Sequence, residues 1–185
     1  MTLWDKGEMT FKYLFKHYLW DVLPIKKYDD IYIIREKMKI FSMRGGRVEV
    51  KGGASRCTLI FDDFVIKIPY GKIDDNYYES RMYQKACYEG YEHLFAECHT
   101  RRVYGINILI MKRVYGIGSD KRYLENTGYL APDEKVWLEQ HVADLHCGNY
   151  GFDEYGNPII ADYAMTREEE DKYAELCQEE QVAIL

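Results

Sequence analysis

The chain has 185 residues, 31 of them Asp or Glu and 25 Lys or Arg, and its formal net charge of -6 argues against a broad nucleic-acid or anionic-membrane footprint, which needs clustered Lys and Arg. Hydrophobic residues at 47% and aromatics at 15% exclude the charge-dominated composition of a disordered chain, and the length suits one domain or two small lobes sharing a cleft. Five Cys without a C-x-x-C pair suggest neither a disulfide framework nor a zinc ribbon, and no stretch approaches the ~20 apolar residues of a membrane span.

In chain order, Phe11, Leu14, Phe15, Tyr18, Leu19 and Val22 recur at spacings of three and four, which predicts a helix over 8–22 that Pro24 ends. The run from Ile31 to Phe41 is apolar-periodic and reads as helix or strand, closed by Gly45-Gly46. From Arg47 the period changes. RVEV, CTLIF and FVIKIPY read as three short strands joined by turns at GGASR and Asp62-Asp63. Residues 76–89 return to helical spacing, and HLFAECHTRRVYG and INILIMKRV then read as two further strands across Gly105-Ile106-Asn107. A loop-rich stretch follows Gly116 and Gly118. Pro132 before Asp133-Glu134 marks a helix start running to about Val142, a turn falls at Tyr155-Gly156-Asn157-Pro158, and IIADY reads as a short strand. The acidic tail EEEDKYAELCQEEQVAIL is a helix candidate with a solvated face.

Five features fall in one order. A Gly-containing turn (Gly52, Gly53, Ala54, Ser55) precedes a Lys inside an apolar strand (Lys67 in VIKI) and a Glu on the next helix (Glu79). The run Asp144-Leu145-His146-Cys147-Gly148-Asn149 comes next, then an Asp closing a strand, Asp162. A charge inside an apolar strand needs a partner or a ligand. Phosphoryl transfer needs donors for the phosphates, a carboxylate for the acceptor's proton and oxygen ligands for Mg²⁺, which are the residue types present here.

Together these motifs resemble the protein-kinase-like superfamily, over roughly residues 47–165. Asp144 and Asn149 keep the spacing of its catalytic loop, and the D-L-H-x-G-N interior is similar to aminoglycoside and choline kinase-like phosphotransferases and to small phage-type kinases. The His-Arg that precedes the loop in eukaryotic kinases is replaced by Val142 and Ala143. Asp162-Tyr163-Ala164 looks like a variant of the D-F-G metal motif, with Ala where Gly would permit positive φ.

The resemblance implies an α+β, two-lobed fold: a helical extension over 1–46, a nucleotide-binding lobe over 47–116 with a five-stranded antiparallel sheet and one helix, and a reduced catalytic lobe over 117–185. It implies ATP and Mg²⁺ as cofactors. Asp144 would be the base, Lys67 the phosphate-binding lysine and Asn149 and Asp162 the metal ligands. Glu79 would pair with Lys67, though at twelve residues on, Glu89 and Glu92 stay open as alternatives. The turn at Gly52, Gly53, Ala54 and Ser55 would cover the phosphates, Met111 would back the adenine pocket and Val114 would offer backbone to adenine.

His146 is read as supporting the loop, and Cys147 has no base placed for it. Only 21 residues follow Ala164, so the acceptor surface is expected from the first 40 residues or a partner. The expectation is a phage- or bacterial-type kinase in the cytoplasm, or in a host cell's cytoplasm. Its acceptor would be Ser, Thr or Tyr of a protein, with no nucleic acid or membrane as partner. The alternatives are a small-molecule kinase, a nucleotidyl transferase and a nucleotide-binding pseudokinase.

Overall fold

A computed structural model describes residues 1–25, 30–53, 55–70, 75–117, 130–143 and 147–163. The expected tail helix, the loop after Gly118, Ala54, Asp144, Leu145, His146 and Ala164 lie outside them. Among the described residues the fold is α+β, and no helix is long and apolar enough to cross a membrane.

Helix α1 (Leu3–Leu14) starts earlier than its apolar period suggests, because Thr2 caps it: the Asp5 amide donates to Thr2 Oγ1 at 3.1 Å, and the Thr2 amide donates to Asp5 Oδ2 at 3.0 Å. A π-helical turn at Phe15–Leu19 continues it. The ambiguous second run is helix α2 (Asp30–Met43). It buries Ile31, Ile34 and Met38 while Tyr32, Ile33 and Ile40 face out, a helical period that an alternating strand cannot produce.

Strands β1 (Glu49–Gly52), β2 (Arg56–Ile60) and β3 (Phe64–Pro69) form the expected antiparallel meander. Helix α3 (Asp75–Glu89) follows, then β4 (Cys98–Val103) and β5 (Ile106–Lys112). The five strands make one antiparallel sheet in the order β1-β2-β3-β5-β4. The β4–β5 turn is tighter than the expected Gly105-Ile106-Asn107. Tyr104 at φ 51° and Gly105 at φ 81° make a two-residue turn, so Ile106 already pairs with Val103. Strand β4 also starts later than expected. Residues 92–94 form a 3-10 turn, and the Ala96 amide turns away to donate to Ile160 O at 2.8 Å.

Beyond residue 130 come helix α4 (Pro132–His141) and the hairpin β6 (Tyr150–Phe152) and β7 (Pro158–Ile160). The last strand stops at Ile160, short of the expected IIADY, because Ala161 donates its amide to Asn149 O at 2.7 Å. The hairpin is tied to the segment beyond β5 by reciprocal 2.8 Å bonds between Tyr115 and Phe152.

Alternation along β3 and β5 divides the interior in two. Ile66, Ile68, Ile108 and Ile110 pack against Phe11, Leu14, Ile31, Ile34 and Met38 of α1 and α2. Val65, Leu109 and Met111 point the other way, into a cluster with Met82, Phe95, Trp137, Leu138, Tyr150, Ile160 and Tyr163. Lys67 shares the parity of Val65 and therefore points to the second side. The N-terminal helices thus cover the face away from Lys67, where they complete a core.

The covering is tight. A Cβ at Gly7 would stand 2.7 Å from Ile110 Cγ2, a buried branched carbon that cannot swing aside. Gly7→Ala is expected to lift α1 from the sheet and to cost about 1–3 kcal/mol in urea unfolding, while Met9→Ala on the exposed flank stays within about 0.5 kcal/mol.

Candidate active site

Lys67 is placed by the β3 register, opposite Thr58 of β2 and Leu109 of β5. Glu79 lies on the buried face of α3 with Asn76, Met82 and Ala86. That helix is anchored where it meets the sheet by Asn76, whose amide donates to Lys67 O at 3.0 Å and to Asn107 O at 2.8 Å. The Lys67 ammonium reaches both Glu79 carboxylate oxygens, at 2.8 and 2.9 Å. Of the three candidate glutamates, the structure brings Glu79 to the lysine. Glu89 instead accepts from Trp137 Nε1 and Lys85, and Glu92 is exposed on the 3-10 turn.

Glu79 is completely buried, and a buried carboxylate survives only when charge and hydrogen bonds replace its water. Besides Lys67 it receives Arg56 Nη1 at 2.5 Å and the Tyr163 amide at 3.2 Å. Arg56, on β2, went unnoticed in the sequence because it reads as the flank of a turn. Strand parity carries the missing signal: Arg56, Thr58 and Ile60 share one face of β2, and Thr58 sits directly opposite Lys67.

Arg56 is 7% exposed, and its Nη2 donates to Asp162 Oδ1 at 2.5 Å. Burial pulls the guanidinium's pKa down, but the Glu79, Asp162 and Asp75 carboxylates outweigh it and hold the group above its ordinary value. Asp162 also lies 3.8 Å from the Lys67 ammonium, and its side chain is 50% exposed, so it faces outward from the cluster.

Asp162 is aimed by its neighbours. Lys67 donates to Ala161 O at 2.8 Å on one side of it. On the other, the fully buried Tyr163 ring meets Phe95 edge-on at 4.7 Å, with its hydroxyl donating to Ala96 O at 2.7 Å. The hydroxyl that distinguishes Tyr163 from Phe therefore fastens the strand end to the segment before β4. Burial, aided by the nearby Glu79 carboxylate, pushes the Cys98 thiol beside it up to about 12, so that sulfur stays protonated and apolar. Asn149 is buried in the 3-10 turn just before β6 and is held to Asp162's segment through the Ala161 amide.

The remaining expected residues are partly engaged. The Gly53 amide donates to Arg56 O at 2.9 Å, its carbonyl accepts from Tyr70, and the Ser55 hydroxyl donates to Asp75. Gly52 ends β1 opposite Cys57. These commitments tie the turn to α3 and leave Gly53 N–H and the Ser55 hydroxyl turned inward, away from the expected role over a phosphate. Met111 is buried in the second cluster, and Val114 packs on its edge between two committed amides, Arg113 to Asp63 O and Tyr115 to Phe152 O.

Gly151 lets β6 approach here, because a Cβ would meet both Tyr115 O and Val114 Cγ1 at 2.5 Å. A cavity of about 820 Å³, lined in part by Val114, opens behind residues 112–115, between the Glu92–Glu97 turn, Glu134 and the β6–β7 turn.

Among the described residues no group of three or more His, Cys, Asp or Glu converges as a metal cluster. The Asp162 carboxylate and the Asn149 amide are nonetheless oxygen donors of the kind Mg²⁺ takes. A cation held by one or two protein groups keeps its other positions for water and phosphate oxygens.

No protein-family model matches the sequence, and no curated protein matches it. Among solved structures, the chain is similar to the bifunctional kinase-methyltransferase WbdD, at 17% identity and a TM-score of 0.36 over 60% of this chain and 29% of that one. It is also similar to WbdD crystallised with the kinase inhibitor LY294002, at 16% identity and a TM-score of 0.37 over 61% of this chain and 31% of that one. The chain thus spans under a third of the length of those structures. At this degree of superposition the likeness assigns neither activity nor substrate.

Removing the Glu79 charge would leave two buried cations with only the half-exposed Asp162 and, 4.0 Å from Arg56, Asp75 to balance them. Glu79→Gln is expected to cost about 3–5 kcal/mol in urea unfolding. Lys85→Gln, which breaks an exposed pair with Glu89, is expected to cost under about 1 kcal/mol.

Proposed function

We propose that this chain is a small two-lobed phosphotransferase of protein-kinase-like type, which moves the γ-phosphoryl group of ATP to a hydroxyl of a protein side chain. The observation that supports it is the buried Lys67–Glu79 pair beside Asp162, at the end of a hairpin that also carries Asn149. On this reading residues 47–116 hold the nucleotide, residues 117–185 supply the catalytic loop, and residues 1–46 are a structural cover.

The sheet face bearing Lys67 then holds the phosphates, with Met111 behind the adenine and the Val114 backbone beside it. Asp162 and Asn149 hold Mg²⁺, which neutralises charge on the phosphate oxygens when bound. Asp144, on the loop before Asn149, orients the acceptor hydroxyl and takes its proton. As the new bond from that oxygen to the γ-phosphorus forms, the bond to the β,γ-bridging oxygen breaks and ADP leaves. Lys67 and the residues around it work by position and charge: Glu79 keeps the ammonium extended, so little reorganisation remains when the phosphates arrive.

A protein acceptor is favoured over a small molecule because the cluster opens outward through a half-exposed Asp162. Incubation with Mg-ATP and a lysate, read by mass spectrometry, tests the reading. The expected outcome is a phosphate addition of protein hydroxyls that falls at least about 100-fold with Asp144→Ala or Asp162→Ala. An AMP addition, a phosphorylated small molecule only, or transfer undiminished in both variants would contradict it.

A further inference from the structure

Lys67, the cation that the motif singles out, must give up a present partner to meet a phosphate. An ammonium has three donors, and in Lys67 they meet both Glu79 oxygens and Ala161 O. Arg56 differs. Its guanidinium carries five N–H donors, of which Nη1 meets Glu79 at 2.5 Å and the Asn76 amide oxygen at 3.5 Å, while Nη2 meets Asp162 at 2.5 Å. Nε lies 4.0 Å from the nearest Asp75 oxygen, beyond hydrogen-bond range.

A planar fork with donors to spare matches the oxygens of a phosphate, and Asp162 is the one partner of Arg56 in this cluster that has substantial exposure. Asp162 therefore occupies Arg56 from the solvent side, where a second anion would arrive.

We infer that Arg56 is a nucleotide-phosphate ligand that Asp162 holds in place until the nucleotide enters. The inference rests on the phosphotransferase reading and adds a residue to it. On entry, a phosphate oxygen replaces the Asp162 carboxylate on Nη2, while Nη1 stays on Glu79. Asp162 is thereby released toward a cation. The exchange is one anion for another at a fixed guanidinium, so it needs no rearrangement of β2 or α3. Its consequence is that the phosphates gain affinity from Arg56 even when no divalent ion is present, and that Asp162 competes with them.

Calorimetric titration of the full chain with ADP and with adenosine, in EDTA, reads this directly. The wild type is expected to prefer ADP to adenosine. Arg56→Met is expected to lose that preference by about tenfold or more while keeping its adenosine affinity. Asp162→Asn, altered at a half-exposed side chain, is expected to strengthen ADP binding in EDTA, because the competing charge is gone; this variant decides the matter if Arg56→Met fails to fold.

An unchanged ADP preference in a folded Arg56→Met, or weaker ADP binding in Asp162→Asn, would overturn the assignment. Failure is separable from failure of the kinase reading. A wild type that binds neither ligand, with or without Mg²⁺, contradicts the nucleotide site as a whole, whereas normal Mg-ADP binding with an inert Arg56 contradicts this inference alone.

Discussion

One buried carboxylate holds the arrangement together. Glu79, on α3, takes Lys67 from β3, Arg56 from β2 and the backbone amide of Tyr163 from beyond β7. Three segments distant in sequence thus meet on two oxygen atoms. Such a group is costly to bury and strongly destabilising to leave half-paired, so its partners are held in register with one another. The position of α3 against the sheet and the distance from Lys67 to Asp162 follow from satisfying it.

The rest of the architecture serves to keep one face of the sheet available for that cluster. The alternation of β3 sends Ile66 and Ile68 to the far side, where α1 and α2 seal them. A small sheet sealed by helices on one face can leave polar residues on the other without losing its core. The near face is closed by α3, α4 and the β6–β7 hairpin, which bury Met111, Phe95, Trp137 and Tyr163 and leave Asp162 at the edge.

Legibility in the sequence followed the strength of local signals. The strands and α3 were readable because alternation and helical period are unmixed there, and the lysine stood out as the only charge in FVIKIP. The choice of Glu79 over Glu89 was not settled by spacing, since both fall on one helix; the inward face of α3 and the claims of Trp137 and Lys85 on Glu89 settle it.

Arg56 was missed because an arginine after Gly-Gly-Ala-Ser looks like solvated turn, and only the register against β3 shows that it points inward. The pairing of Ala96 with Ile160 was out of reach for a different reason: it joins segments more than sixty residues apart, and nothing local in HLFAEC marks the diversion. Asp144, by contrast, was expected from its motif alone and lies outside the described residues.

The central claim is that the cluster around Glu79 is where nucleotide phosphates bind. A crystal structure of the chain with Mg²⁺ and a non-hydrolysable ATP analogue tests it most directly. The account predicts phosphate oxygens within hydrogen-bond distance of Lys67 Nζ, with the cation on Asp162. An analogue whose phosphates lie away from Lys67 and Arg56, with the Arg56–Asp162 and Lys67–Glu79 contacts untouched, would contradict it.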